Sequence, residues 1–365
     1  MTAPLTEAEN LREELRKVKV DLKLQRKINA ALQKEQDSAQ SIRETIYEMA
    51  NAPITIPEWI NRKHTKTVHP GIPMVMWSDW HWGENVSKVE VGGVNEYNPK
   101  IARKRLMKLV DKTIFLVDRF KEQKYPGIVV NLGGDMISGD IHEELSDTNE
   151  QYVQQTLLDL QDHLASALTR IADRFGKVHV AGVVGNHGRE TKKPRHKGRV
   201  FTSYEWGLYH QLARHFSRDD RFTFQIPDEA DAFYEVLGHR FLLTHGDSLG
   251  VKGGDGIIGA LGPIARGTFK IGRSEAQIGR DFDTLVIGHW HIYIPRSEAV
   301  PVIVNGTMKG YDEFARLALR VPYSRPSQAL WFVYEGHGIG EQWQIYLERT
   351  AKQAVHGVQL HNVAF

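Results

Sequence analysis

Five short polar clusters hold the residues of this chain best suited to chemistry. They are Asp79-Trp80-His81, Gly134-Asp135, Gly185-Asn186-His187, Thr244-His245-Gly246-Asp247 and Gly288-His289-Trp290-His291. Their donors are carboxylates, an amide oxygen and imidazoles. Such groups suit divalent manganese, iron, zinc or magnesium, and the absence of cysteine removes thiolate sites and cysteine nucleophiles. Asp135 is the pivot. It follows the apolar run 128–132 and two glycines, which reads as a buried strand that turns sharply and projects the aspartate from its carboxyl edge. Ligands of open α/β sheets sit at that edge. A carboxylate there can bridge two cations, one per oxygen, so the remaining clusters become candidates for completing two shells around it.

The elements that must position these clusters follow from pattern. An apolar run at 72–77 precedes Asp79 and predicts a strand. The stretch 98–123 predicts a helix, with Asn98 as cap, Pro99 in the first turn and Ile101, Leu106, Val110, Ile114 and Val117 largely on one face. A second amphipathic helix is predicted over 148–175, a third strand over 178–184 and a helix over 201–216. Strand–helix–strand–helix–strand with long crossovers predicts an α/β fold with a parallel sheet covered on both faces. The second half predicts short strands at 222–225, 232–236, 240–244, 284–287, 292–295, 302–304, 330–334 and 344–347. The segment 250–279 is glycine-rich, with Lys252, Arg266, Lys270 and Arg273 scattered through it and Arg280 just beyond.

At 365 residues the chain is long enough for two or three domains, with 41% hydrophobic and 25% charged residues. Its formal net charge of +2 gives no global preference for a polyanion, so any nucleic-acid surface has to be local. Lys192-Lys193-Pro194-Arg195-His196-Lys197-Gly198-Arg199, just after the third strand, is one such patch. No apolar run approaches the ~20 residues that span a bilayer, and the charged start argues against a signal peptide, so a cytoplasmic, membrane-free protein is expected. Residues 5–50 read as a helical arm in which Leu11, Leu15, Val18 and Leu22 form a short coiled-coil seam that fades at Gln25 and Asn29. Such an arm would lie on its own domain, or form a homodimer or bind a partner protein. Two prolines in 51–57 end it. The expected division is an arm at 1–52, a linker at 53–72, a catalytic domain at 73–350 and a tail at 351–365.

The order and content of the five clusters closely resemble the calcineurin-like metallophosphoesterase family. The match runs from Asp79 to His291; each cluster alone is weak, but five in order at strand ends are specific. The resemblance implies a four-layer α/β/β/α sandwich, two packed mixed sheets flanked by helices, after the N-terminal arm. It implies two divalent metal ions, manganese foremost, with iron, zinc, magnesium or nickel as alternatives. One would be held by Asp79, His81, Asp135 and His291, and the other by Asp135, Asn186, His245 and His289. His187 matches the family's catalytic histidine, a phosphate contact and general acid. Two neighbouring cations neutralise a phosphate ester and lower the pKa of a bridging water for attack.

One position departs from the pattern: the family often has an acidic residue directly after the catalytic histidine, where this chain has Gly188. Glu190 or Asp140 is then expected to orient His187, and Asp247 to support His245. His142, His196 and His210 are expected at the surface or as caps, and Trp80, Trp82 and Trp290 as packing around the site. The implied activity is phosphoester hydrolysis. Arg189, Lys192, Lys193, Arg195 and Lys197 as substrate contacts favour a phosphodiester, DNA or RNA, hence a nuclease. A phosphatase or a cyclic- or small-nucleotide phosphodiesterase is the alternative, and a partner-binding scaffold using the arm is a third.

Overall fold

The apolar runs that precede the first three clusters form adjacent parallel strands, β1 (Ile72–Trp77), β2 (Ile128–Leu132) and β3 (Val178–Gly182). Every one of their residues is buried, so they need no polar alternation. This computed structural model describes residues 19, 22, 23, 25, 26, 56–61, 71–120, 125–249 and 260–348. β4 (Phe222–Gln225) extends the sheet beside β3. On the other side β9 (Ser327–Tyr334) runs antiparallel to β1, and β10 (Gly338–Tyr346) antiparallel to β9. A second sheet orders β5 (Ala232–Val236), β6 (His239–Leu243), β7 (Thr284–Ile287) and β8 (Val302–Val304), antiparallel at the first pair and parallel thereafter.

Period-two alternation sorts the strand residues into layers. Val75, Val130 and Val180 pack on Leu106 of α2 (Pro99–Val117), Leu160 and Leu164 of α4 (Val153–Phe175) and Leu212 of α5 (Tyr204–His215). Their neighbours Met74, Met76, Val129 and Ala181 turn the other way and meet Phe241, Leu243, Val286 and Ile303 of the second sheet. The far face of that sheet, Leu242, Leu285, Ile287 and Val302, is covered by Ile264 of α6 (Leu261–Ala276). The layer order is helix, sheet, sheet, helix, the mixed α/β sandwich expected from the sequence. Two small helices, α1 (Glu58–Asn61) and α3 (Glu143–Thr148), complete the described elements of regular α-helix beyond the N-terminal positions.

The chain divides into two compact units, Met1–Pro53 and Ile54–Phe365. In the first, Lys19, Leu22, Lys23, Gln25 and Arg26 are helical and exposed. The rest of the arm, with Leu11, Leu15 and Val18 of its seam, lies outside the described residues, as do positions 53–55 and 62–70 of the expected 53–72 linker, Lys252 and the tail at 351–365; within that linker α1 forms at Glu58–Asn61 and β1 begins at Ile72. No described helix is long and apolar enough to cross a membrane.

Several elements differ from the pattern-based expectation for identifiable reasons. Asn98 caps α2 as expected, its side chain accepting from the Ile101 amide at 3.0 Å. The helix expected from 148 instead breaks after α3. It starts at Val153, where the Gln155 side chain accepts from the Tyr152 amide at 3.3 Å. The strand expected at 292–295 reduces to a single bridge between Ile294 and Val304, because Pro295 has no amide to continue the ladder. Helix α6 was hidden by its glycines, which disfavour helix locally. Gly267 is there for packing: a Cβ would stand 2.9 Å from the Leu249 Cβ.

A buried histidine in β3 makes the fold acid-sensitive. His179 has its Nδ1 2.9 Å from the Thr223 hydroxyl, and burial pushes its pKa down from 6.5 to about 4. Between those values the unfolded chain takes up a proton that the folded chain refuses, so stability falls as pH drops, by up to about 1.4 kcal/mol per unit. The urea midpoint of His179→Leu is expected to fall less between pH 7 and pH 5 than that of the unsubstituted protein.

Candidate metal centre

All five clusters leave the carboxyl ends of parallel strands, and the two sheets bring those ends together. β1 delivers Asp79 and His81, β2 Asp135, β3 Asn186 and His187, β6 His245, and β7 His289 and His291. The turns that do this are sharp. Asp79, His81, Asp135, His289 and His291 have φ of 54°, 47°, 51°, 64° and 57°, in the left-handed region that side chains avoid. They are five of the seven non-glycine residues with positive φ among the described residues, and such strain concentrates where a site requires it. Gly134, at φ 82°, makes the approach of β2 to β3 feasible, because a Cβ there would collide with the Gly185 backbone.

The side chains converge in two overlapping groups. His81 and His291 face each other through their Nε2 atoms at 3.1 Å, and His291 Nε2 is 3.4 Å from Asp79 Oδ1. His245 Nε2 is 3.1 Å from both Asp135 Oδ2 and Asn186 Oδ1. Asp135 belongs to a cluster with His81 and His187 and to another with His245 and His289, each set of ligand atoms lying within 4.8 Å. Asp135 therefore stands between the two groups.

Tautomers show what this arrangement lacks. Gly133 O, an acceptor only, sits 2.8 Å from His245 Nδ1, so that nitrogen carries the proton and a neutral His245 turns its Nε2 lone pair toward Asp135 and Asn186. His81 Nδ1 lies 3.3 Å from the Glu84 carboxylate. With a neutral His245, its Nε2 lone pair would meet the Asp135 and Asn186 oxygens with no hydrogen between them. A cation satisfies them; so does a proton on His245. Burial opposes that proton, but the adjoining Asp135 carboxylate overrides burial and pushes the imidazole up to about 10. His81 and His289 go the other way, to about 4, chiefly through burial. The donor set fits divalent cations, with two buried carboxylates to balance their charge.

Residues outside the five clusters hold the ligands in place. Asp79 Oδ1 accepts from the His289 amide at 2.8 Å, tying the two sheets together. Its other oxygen accepts from Ser78, whose hydroxyl in turn accepts from Asn305 Nδ2 at 2.8 Å. Gln328, fully buried on β9, accepts from the Ser78 amide and the Trp80 indole and donates to the Ser78 and Gly306 carbonyls. Glu84 pairs with Lys309 at 2.9 Å, and Lys309 with Asp312 at 2.6 Å. Burial alone would neutralise Glu84, but the Lys309 ammonium keeps it well below the usual carboxylate range. Glu205 accepts from the Met136 amide at 2.6 Å and the Gly185 amide at 2.7 Å. Burial and then the Asp135 charge push Glu205 up to about 7, against the pull of those amides. Of these, Asn305 was open to detection, since Val302-Ile303-Val304-Asn305-Gly306 repeats the apolar-run-then-glycine signature. Glu205 and Gln328 carry no such signal.

Other expectations are corrected. Asp247 does not support His245: it forms a bidentate pair with Arg199 at 2.8 and 2.9 Å, and the Gly133 carbonyl takes the supporting role. Neither Glu190 nor Asp140 orients His187; its Nδ1 lies 2.8 Å from the Ser138 carbonyl and its amide donates to Asp135 Oδ1 at 2.7 Å. Burial foremost lowers the His187 pKa. Arg189 spends its guanidinium on the carbonyls of Asn186, Thr191 and Lys192, folding the basic loop rather than reaching outward. Lys192, Lys193, Arg195 and Lys197 are exposed beyond it. His142 and His196 are exposed, whereas His210 is buried against Trp206 at a ring separation of 4.2 Å. Trp80 and Trp82 are fully buried packing residues; Trp290 is half-buried.

No protein-family model matches the sequence, and no curated protein matches it. Among solved structures, the Vps29 protein of Entamoeba histolytica in complex with Zn2+ aligns at 12% identity with a TM-score of 0.31, covering 75% of this chain and 99% of that one. Vacuolar protein sorting 29 of Cryptosporidium parvum aligns at 10% identity and a TM-score of 0.30, covering 75% and 98%. Overlaps this loose carry no assignment.

The convergence makes a stoichiometric prediction. The purified protein, dialysed against Mn2+, is expected to retain two ions per chain by elemental analysis. Asp135→Asn, which removes the shared carboxylate, is expected to retain at most one; two ions in that variant would exclude Asp135 as the bridge.

Proposed function

We propose that this chain is a phosphoesterase of the calcineurin-like kind that works with two divalent cations and hydrolyses phosphodiesters. The observation that carries the reading is the convergence of carboxylate, amide and imidazole donors around Asp135 from five strand ends. Asp79, His81, Asp135 and His291 would hold one cation, and Asp135, Asn186, His245 and His289 the other. The oxygen-and-imidazole set accommodates manganese, and iron, zinc, magnesium and nickel are its competitors. When bound, such a pair supplies charge neutralisation at phosphoryl oxygens and acidifies water.

The protein's own groups divide the remaining work. Asp79, His81, Asp135 and His245 are buried, whereas Asn186, His187, His289 and His291 are only half-buried and form the open side where an ester would enter. The Ser138 carbonyl fixes the Nδ1 proton of His187 and leaves Nε2 free toward that side. Burial favours the neutral imidazole before substrate arrives, and an anionic phosphate favours its protonated form, so proton delivery to a leaving oxygen is coupled to binding. The amide oxygen of Asn186 ligates without adding a negative charge near the substrate.

For the substrate, the supporting feature is the basic loop, which extends four exposed cations next to the strand end carrying Asn186 and His187. A polyanionic phosphodiester, DNA or RNA, fits that surface better than a small monoester. Burial of Trp80 and Trp82 leaves those indoles no part in base stacking, so the nucleic-acid reading rests on charge alone.

Hydrolysis of bis(p-nitrophenyl) phosphate in the presence of Mn2+ tests the reaction class. His187→Ala is expected to keep its metal and to slow esters with poor leaving groups by about 10²–10⁴-fold, and those with good ones far less. Equal slowing would remove the acid role, and a metal-loaded protein inert toward every ester would favour a binding role. Replacing Lys192, Lys193, Arg195 and Lys197 with Gln is expected to weaken DNA or RNA binding and flatten its salt dependence while small-ester hydrolysis persists. An unchanged salt slope would return the loop to solvated charge.

A further inference from the structure

The geometry points to Glu205 as the positioning residue that sets the relative placement of Asp135 and Asn186, and to its side chain as the reason residue 188 is glycine. This rests on the metal-centre reading above for its consequence, but its physical basis is independent of any bound ion. Glu205 lies in the first turn of α5, distant in sequence from both strands it touches, and is completely buried. One carboxylate oxygen takes the amide of Met136, the residue after Asp135; the other takes the amide of Gly185, the residue before Asn186. A single planar group therefore spans the ends of β2 and β3 and fixes the separation of the shared carboxylate and the amide ligand. Both bonds are short, at 2.6 and 2.7 Å, and charge-assisted when the carboxylate is ionised. Neither strand can shift along the other without losing one of them.

Gly188 shows that this carboxylate occupies a place a neighbouring side chain could otherwise reach. A Cβ built on Gly188 would stand 2.6 Å from Glu205 Cγ and 2.7 Å from its Cδ. Two carbon–carbon bonds of about 1.5 Å set a glutamate's carboxyl carbon about 2.5 Å from its own Cβ. A glutamate at 188 thus has the length to bring its carboxylate to where Glu205 now has its own, with the Ser203 hydroxyl, 3.1 Å from that Cβ, giving way slightly. Gly188 has no positive φ, so its backbone tolerates a side chain once Glu205 is truncated. The two positions are alternative anchors for one buried carboxylate, and this chain uses the helix.

The test uses the full-length protein and two readouts. Hydrogen exchange at the Met136 and Gly185 amides, measured on metal-free protein, reads the clamp itself. Mn2+ affinity by titration reads its consequence. Glu205→Gln keeps size but turns an amide NH2 toward one of the two N–H donors; it is expected to speed exchange at one or both amides and to weaken Mn2+ binding about 10–100-fold. Glu205→Ala is expected to speed exchange at both, and Glu205→Ala with Gly188→Glu to restore protection and most of the affinity. Unchanged exchange in Glu205→Gln overturns the clamp, and a folded double variant no better than Glu205→Ala overturns the exchange of anchors. Should the unsubstituted protein bind no Mn2+, the metal-centre reading fails, while the exchange measurements still decide the role of Glu205.

Discussion

The constraint on which the rest depends is a demand for positive charge among buried acceptors. The Gly133 carbonyl takes the outer N–H of His245, so the inner nitrogen of that ring faces the Asp135 carboxylate and the Asn186 amide oxygen at 3.1 Å. Buried acceptors that close repel unless a proton on His245 or a cation lies among them. The fold holds them there because the groups beside the rings are themselves fixed: the Gly133 carbonyl at the end of β2, the Glu84 carboxylate pinned by Lys309. On the metal-centre reading, a site built this way would be preorganised for cations.

The two sheets have unequal parts in this. The larger one supplies the carboxylates and the amide from three adjacent parallel strands, whose hydrogen-bonded ladders leave little freedom at their ends. The smaller one supplies three imidazoles across an apolar interface that includes Met74, Met76, Phe241 and Val286. Direct ties across the gap are few but well aimed: Asp79 takes the His289 amide, His245 leans on Gly133, and Asn305 reaches Ser78. Interface packing therefore contributes to metal geometry, because sliding one sheet over the other would separate the imidazoles from the carboxylates.

The layered fold and the convergence of the five clusters were legible because both express themselves locally. An apolar run that stops at a polar cluster marks a strand that ends at a site, and Asp79, Asp135, Asn186, His245 and His289 all sit in that context, four of them with a glycine beside them. Supporting groups escaped because their partners are remote in sequence. Nothing adjacent to Glu205 or Gln328 distinguishes them from surface polar residues, and their burial is a product of topology. Asp247 and Arg189 misled in the opposite sense. Proximity in sequence suggested work at the centre, but each found a nearer partner, Asp247 an arginine and Arg189 three carbonyls of its own loop. Helix α6 was obscured because its glycines serve close packing, which only the folded context discloses.

The left-handed turns carry a consequence for the economy of the whole molecule. Glycine would relax the backbone at Asp79, His81, Asp135, His289 and His291, yet all five positions keep a side chain that makes the conformation costly. The chain is in that respect held short of its own optimum. On the two-cation reading proposed above, occupancy would return some of the difference, since a ligand that binds only the native state raises its stability, and a lineage released from that need would gain robustness at the same positions.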